Sequence, residues 1–203
     1  MNSGVTAERV YEALKQRLMN HEFPPGHRLD PAALAEPLVA SVTPVRDALH
    51  RLTGEGIVET RIGGGFHVPP LDEPALKDLY DWSAQVVALA LRGWRPAAAG
   101  TSPELEGADF GTSAGHAAAV FLAIGRRSRN GEHARAIGRL NARLNAVRTV
   151  EPHVLDGVAD ELGAMAAAFG RDERGTLGRL NAAYHRRRRR AAAAIVRAAY
   201  RAG

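Results

Sequence analysis

The chain has 203 residues, 45% of them hydrophobic, with no cysteine and a formal net charge of +5. That length holds one large domain or two small ones with a packed core, and the lack of cysteine excludes disulfides and thiolate metal sites. The N-terminus, MNSGVTAERVYEALKQRL, has neither a basic leader nor an apolar signal core, and no apolar run reaches spanning length, so a cytoplasmic protein without a membrane segment is expected.

Apolar residues at Val10, Leu14 and Leu18 lay one stripe along a helix over 6–20, which the Phe-Pro-Pro-Gly at 23–26 stops. Asp30 as N-cap and Pro31 at the first helical position, followed by Leu34 and Leu38, predict a short second helix. A third begins at Thr43 and Pro44, runs through Val45, Ala48, Leu49 and Leu52, and ends before Gly54 and Gly56. The period then changes. Residues 57–61 and 66–68 read as short strands joined by Gly63, Gly64 and Gly65. Three helices and a glycine-tipped hairpin make a winged helix whose second and third helices form a helix-turn-helix.

Pro69 and Pro70 mark a boundary, after which helices are predicted over 73–94, 114–128, 131–148, 152–169 and 173–200. A stretch rich in Pro, Gly and Ala between Gly93 and Ser113 reads as a long loop. The expected fold is mainly α: an N-terminal winged helix-turn-helix at 1–70 and a C-terminal α-helical bundle at 71–203.

Charge is unevenly spread. Residues 1–70 hold seven Lys or Arg against eight Asp or Glu, whereas 171–203 hold ten Arg and two acids. Bulk charge is therefore a weak argument for nucleic-acid binding, and the case rests on local arrangement.

The segments FPPGHRL at 23–29, LAE at 34–36, SVTPVRDAL at 41–49 and LTGEGIV at 52–58 together resemble the GntR family of bacterial regulators, in its FadR-like branch with an all-helical C-terminal domain. The resemblance implies a non-enzymatic transcription regulator, a repressor, that binds a palindromic double-stranded DNA operator as a homodimer under small-metabolite control. It places Ser41, Thr43 and Arg46 at DNA, and Gly63 and Gly64 at the wing tip. The start of a recognition helix does face the major groove, where Arg can pair with guanine or phosphate and Ser or Thr can reach phosphate. Ser41 and Thr43 also suit helix capping. The chain departs from the pattern at Val42, where the family usually has Arg, and at Ala32 and Ala33. His50, Arg51, Arg61 or His67 are candidate substitutes.

In the C-terminal half the positions of the family's metal ligands read Ala118, Leu122 and Leu162, which leaves His185 alone. One imidazole cannot build a metal site, so no metal or other cofactor is expected. Trp82, Arg126, Asn145 and His185 are weak candidates to line a ligand cavity. The alternative reading is a winged-helix interaction module controlled by a protein partner, without a small-molecule effector.

Two further motifs carry less. The GxSxG at 111–115 lacks the parallel sheet that a nucleophile elbow needs, and Ser113 suits an N-cap. Five successive arginines, Arg186 to Arg190, point all round a helix. Some must face the fold, and the run is not a clean basic stripe.

Overall fold

The structure, a computed structural model, describes residues 3–20, 22–96, 105 and 110–202. They form two compact units, Met1–Leu71 with Ala199–Gly203, and Asp72–Ala198.

In the first unit, α1 (Ser3–Met19) buries Val10, Tyr11, Leu14 and Leu18. After it come β1 (Arg28–Leu29), α2 (Pro31–Ala35) and α3 (Val42–Glu55). Asp30 caps α2 as its sequence predicts, its carboxylate accepting from the Ala32 amide at 2.9 Å. α3 turns Val45, Ala48, Leu49 and Leu52 to one face, packs against α1 and α2, and ends on Gly56 in the left-handed conformation. Each large apolar side chain so buried contributes about 1.5–3 kcal/mol.

The wing strands β2 (Glu59–Thr60) and β3 (Phe66–His67) pair antiparallel, with Glu59 opposite His67 and Thr60 opposite Phe66. β1 adds to the other edge of β3 through Arg28–His67 and Leu29–Phe66, giving sheet order β1-β3-β2. Sequence reading anticipates the hairpin but not β1. Two residues between turns are too short to show an alternation.

The second unit is helical. α4 (Glu73–Arg92), α5 (Ser113–Arg126) and α6 (Gly131–Val150) are N-capped by Asp72, Thr112 and Asn130, whose side chains accept from Ala75, Gly115 and Glu132 amides. Thr112 thus takes the capping role expected of Ser113, which is the first residue of α5. The single helix predicted over 152–169 is a 3-10 turn (Glu151–His153) followed by α7 (Val158–Gly170), with left-handed Gly157 at the break. α8 (Arg174–Ala202) is the longest element.

The core gathers Val86, Val120, Phe121, Leu162, Met165, Phe169 and Tyr184 among others. At Gly125 a Cβ would lie 2.9 Å from both Ala134 Cα and Ile137 Cδ1, so only glycine lets α5 and α6 approach this closely. The long loop expected between 93 and 113 falls largely on 97–104 and 106–109, outside the described residues. Among the described residues no helix is long and apolar enough to cross a membrane.

Candidate nucleic-acid interface

The buried residues of α3 fix which of its side chains look outward. At 100° per residue, Thr43, Arg46, Asp47 and His50 fall on the face opposite Val45, Ala48, Leu49 and Leu52, and all four are exposed. Ser41, the N-cap, is also exposed and makes no side-chain cap bond, so the helix does not consume its hydroxyl. Arg46 has no hydrogen bond or ion pair among the described residues. His50 is positioned by Phe66 of β3, the two rings meeting edge-on at 4.9 Å.

The other basic candidates are engaged. Arg51 pairs with Glu8 at 2.7 Å and lies 3.7 Å over the Tyr11 ring, which ties α3 to α1. Arg61 pairs with Glu59 at 2.7 Å along the wing. His67 is half-buried with an unpartnered Nδ1.

At the wing tip Gly63 and Gly64 have φ of 101° and 89°, and a Cβ at either would meet nothing. Backbone conformation, not crowding, demands glycine there. Ile62 beside them is fully exposed, as is much of Val42 at the start of α3. Sequence reasoning missed Asp47 and Ile62 as members of this surface, although the 43/46/47/50 spacing could have placed Asp47.

A second fastening holds the recognition helix. Tyr11 and Lys15 of α1 both donate to the carboxylate of Glu55 at the end of α3, Lys15 at 2.7 Å. Partial burial opposes ionisation of Glu55, but the bonds from Lys15 and Tyr11 outweigh it and hold the carboxyl below its ordinary value.

This architecture matches known proteins. Residues 6–68 match the model of the bacterial regulatory proteins, gntR family. Over this segment the chain resembles that family. It is 39% identical over 74 residues to the Nta operon transcriptional regulator of Aminobacter aminovorans, and 29% identical over 72 residues to the uncharacterized HTH-type transcriptional regulator YdhC of Bacillus subtilis strain 168. These alignments cover 36% of the chain in each case, and 35% and 32% of the relatives, so the chain spans about a third of the length of the curated relatives it matches.

Two solved structures share the fold over most of their length. A putative transcriptional regulator GntR from Rhodococcus sp. RHA1 superposes with a TM-score of 0.69 at 16% identity, covering 92% of this chain and 96% of that one. E. coli McbR/YncC gives a TM-score of 0.60 at 22% identity, covering 90% and 94%.

In the helical unit, the four ligand candidates do not converge. Trp82 and Arg126 are exposed, Asn145 is half-buried, and His185 alone lies in the core. Both ring nitrogens of His185 are occupied: Nδ1–H donates to the Asn181 carbonyl at 2.9 Å, and Nε2 accepts from Ser83 at 3.0 Å. Burial pulls its pKa down to about 3, opposed by the Asn181 bond and reinforced by Arg148 and Arg188. Among the described residues no three His, Asp or Glu side chains are grouped to hold a metal.

What surrounds His185 is a buried polar cluster that the sequence reading did not name. Glu151 accepts from Tyr80 at 2.6 Å and from Arg188 Nε at 2.8 Å, and Arg188 also reaches Glu161 at 2.7 Å. Arg148 donates from Nη1 to Asn141 at 2.8 Å, and Asn141 is anchored to the Ala118 carbonyl at 2.9 Å. Burial, with the Glu151 carboxylate nearby, raises the Tyr184 phenol to about 12.

Proposed function

We propose that this chain is a sequence-specific DNA-binding transcription regulator, a repressor, that binds a palindromic operator as a homodimer under the control of a small metabolite. The carrying observation is the outward face of α3, where Ser41, Thr43, Arg46 and His50 stand exposed, Arg46 uncommitted, beside a glycine wing. Arg46 reads guanine or clamps a phosphate, Ser41 and Thr43 bind phosphate, and the wing at Gly63 and Gly64, flanked by Arg61, follows the minor groove. The regulator acts in the cytoplasm, and occlusion of polymerase accounts for repression. A ligand with unequal affinity for the two DNA-binding states releases it. The division of labour is a winged helix at 1–70 and a sensing and dimerising bundle at 71–203.

Selection from random double-stranded oligonucleotides with the purified chain tests this reading. Enrichment of an inverted repeat is expected, together with a light-scattering mass of twice the chain. Absence of any enriched motif would overturn it.

The acidic balance of residues 1–70, with Arg51 and Arg61 already paired to carboxylates, favours a second reading: a winged-helix module that docks a protein partner. Failure of the DNA selection, with co-purification of one protein that the Arg46→Ala variant no longer captures, would support it.

A further inference from the structure

α8 carries nine arginines and no Asp or Glu. Its buried face runs through Leu177, Tyr184, Arg188 and Ile195. At 100° per residue, Arg179, Arg186, Arg190 and Arg197 fall on the opposite face within an arc of about 40°, and all four are exposed. The residues beside them on that face are Ala182 and Ala193, so nothing bulky stands between the cations. The row crosses the five-arginine run rather than following it: only Arg186 and Arg190 of the run belong to it.

The members of the run differ in what they hold. Arg187 is bonded to the Asp156 carbonyl, Arg188 to Glu151 and Glu161, and Arg189 to Asp81. Arg186, Arg190 and Arg197 make no hydrogen bond or ion pair among the described residues. Arg179 is the partly engaged end of the row; it donates to the Thr176 hydroxyl at 3.0 Å and acts on the Glu173 carboxylate through space. Arg186 and Arg190 also wall two surface concavities, one of about 490 Å³ shared with Leu155 and Arg187, the other of about 330 Å³ shared with Lys77 and Arg189. A phosphate group on either side therefore meets the same two uncommitted guanidiniums. The carboxylate that borders the first, Glu161, is already held by Arg188 at 2.7 Å.

We infer that the outer face of α8 is a second, sequence-independent nucleic-acid surface, in which Arg186, Arg190 and Arg197 bind the phosphates of duplex DNA. Those three cations span about 17 Å of helix, an extended row that matches a polyanion carrying one charge per about 1.7 Å rather than a compact anion. An anionic membrane is disfavoured because an interfacial helix sets large apolar side chains next to its cations, and this face offers alanine. The same lack of an aromatic or large aliphatic anchor disfavours an acidic protein. Residues 1–70 carry one more acid than base, and there Arg51 and Arg61 are paired with Glu8 and Glu59. The two tasks of a DNA-binding protein are thus divided: α3 reads sequence, and α8 supplies affinity for the backbone. The inference rests on the reading of the chain as a DNA-binding protein and adds to it a surface outside the winged helix.

The test is fluorescence anisotropy of the full chain with a random-sequence duplex at several salt concentrations. Binding that weakens linearly in log–log form is expected. Replacing Arg186, Arg190 and Arg197 together by Gln should weaken it at least 10-fold at low salt and reduce the slope by about 2–3, as the loss of three phosphate contacts requires. Because these side chains are exposed and unpartnered, the variant should melt as wild type does; if it fails to fold, each single replacement should reduce the slope by up to about 0.9. Replacing Arg92, Arg126 and Arg139 by Gln removes the same charge from three other helices and should change the slope by less than one contact's worth. Wild-type affinity and slope in the α8 variant would overturn the inference, and so would equal weakening by the control, which would make net charge the cause. Retention on phosphatidylglycerol vesicles that the α8 variant loses, with random-duplex binding unchanged, would overturn it in favour of a membrane. Operator selection that succeeds while the α8 variant keeps the full salt slope removes this surface and leaves the regulator reading. Loss of slope in a chain that selects no operator supports the surface and removes that reading.

Discussion

Arg188 donates from Nε to Glu151 at 2.8 Å with both side chains sealed from solvent. A buried pair of this kind is held together less by its own net attraction than by the cost of breaking it. Glu151→Gln is therefore expected to lower stability by about 3 kcal/mol, because Arg188 keeps its charge and loses its most buried partner. The double replacement Glu151→Leu, Arg188→Met is expected to cost less than Glu151→Gln alone. Chemical denaturation of the two variants checks this; a double variant less stable than the single one would refute it.

His185 contributes a pH dependence. Its folded-state pKa, pulled down to about 3, lies below the ordinary 6.5, so the unfolded chain binds the proton more readily. Its contribution is complete above the unfolded value and is lost as pH falls from about 6.5 toward 3, by roughly 1 kcal/mol per pH unit. His185→Gln should flatten that part of the stability profile between neutral and mildly acidic pH. Melting curves across this range measure it, and an unchanged slope would place the acid sensitivity elsewhere.

Arg46→Ala should weaken binding to a selected operator by about 1–3 kcal/mol and relax preference at one base if Arg46 reads that base. If it clamps a phosphate, all sequences weaken alike and the salt dependence flattens. Binding assays on operator and scrambled DNA at two salt concentrations separate the two. Wild-type affinity in the variant would mean that the outward face of α3 is not the reading surface.

Between α2 and α3, Val39 sits exposed at φ 48°, a left-handed conformation that a β-branched residue adopts only under strain. Its carbonyl accepts from Arg9 at 3.1 Å, a bond that any residue preserves. Val39→Gly should raise stability by about 0.5–1 kcal/mol, the relieved strain less the entropy of a freer unfolded chain. A lower melting temperature would show that the valine side chain contributes more than it strains.

The winged helix was legible in the sequence because each of its signals is local. Asp30 with Pro31, the Val45/Ala48/Leu49/Leu52 stripe and the glycine triplet each declare an element within a dozen residues. The polar cluster of the helical unit was not legible, since Tyr80, Arg148, Glu151 and Arg188 meet only in three dimensions and each letter alone suggests a surface. A signal existed. Arg148 follows Leu140 and Leu144 at four-residue steps, and Arg188 stands between Tyr184 and Ala192 on the stripe that continues to Ile195, so both lie on buried helix faces. Trp82 misleads in the opposite sense: its size suggests a pocket wall, but the inward position belongs to its neighbour Ser83.

The arginine run from Arg186 to Arg190 repeats one letter, yet its members are not interchangeable. Arg187 donates to the Asp156 carbonyl, Arg188 is entombed against Glu151, and Arg189 pairs with Asp81 at 3.0 Å. Deleting any one arginine would leave a run that looks nearly the same on paper. Everything C-terminal to it would nevertheless rotate by 100° about the axis of α8, carrying Ala192 and Ile195 off the core face and bringing polar or exposed neighbours onto it. The length of the tract, rather than its composition, is thus the quantity to which the fold is sensitive: the five arginines act as a spacer that sets the phase of the helix beyond them.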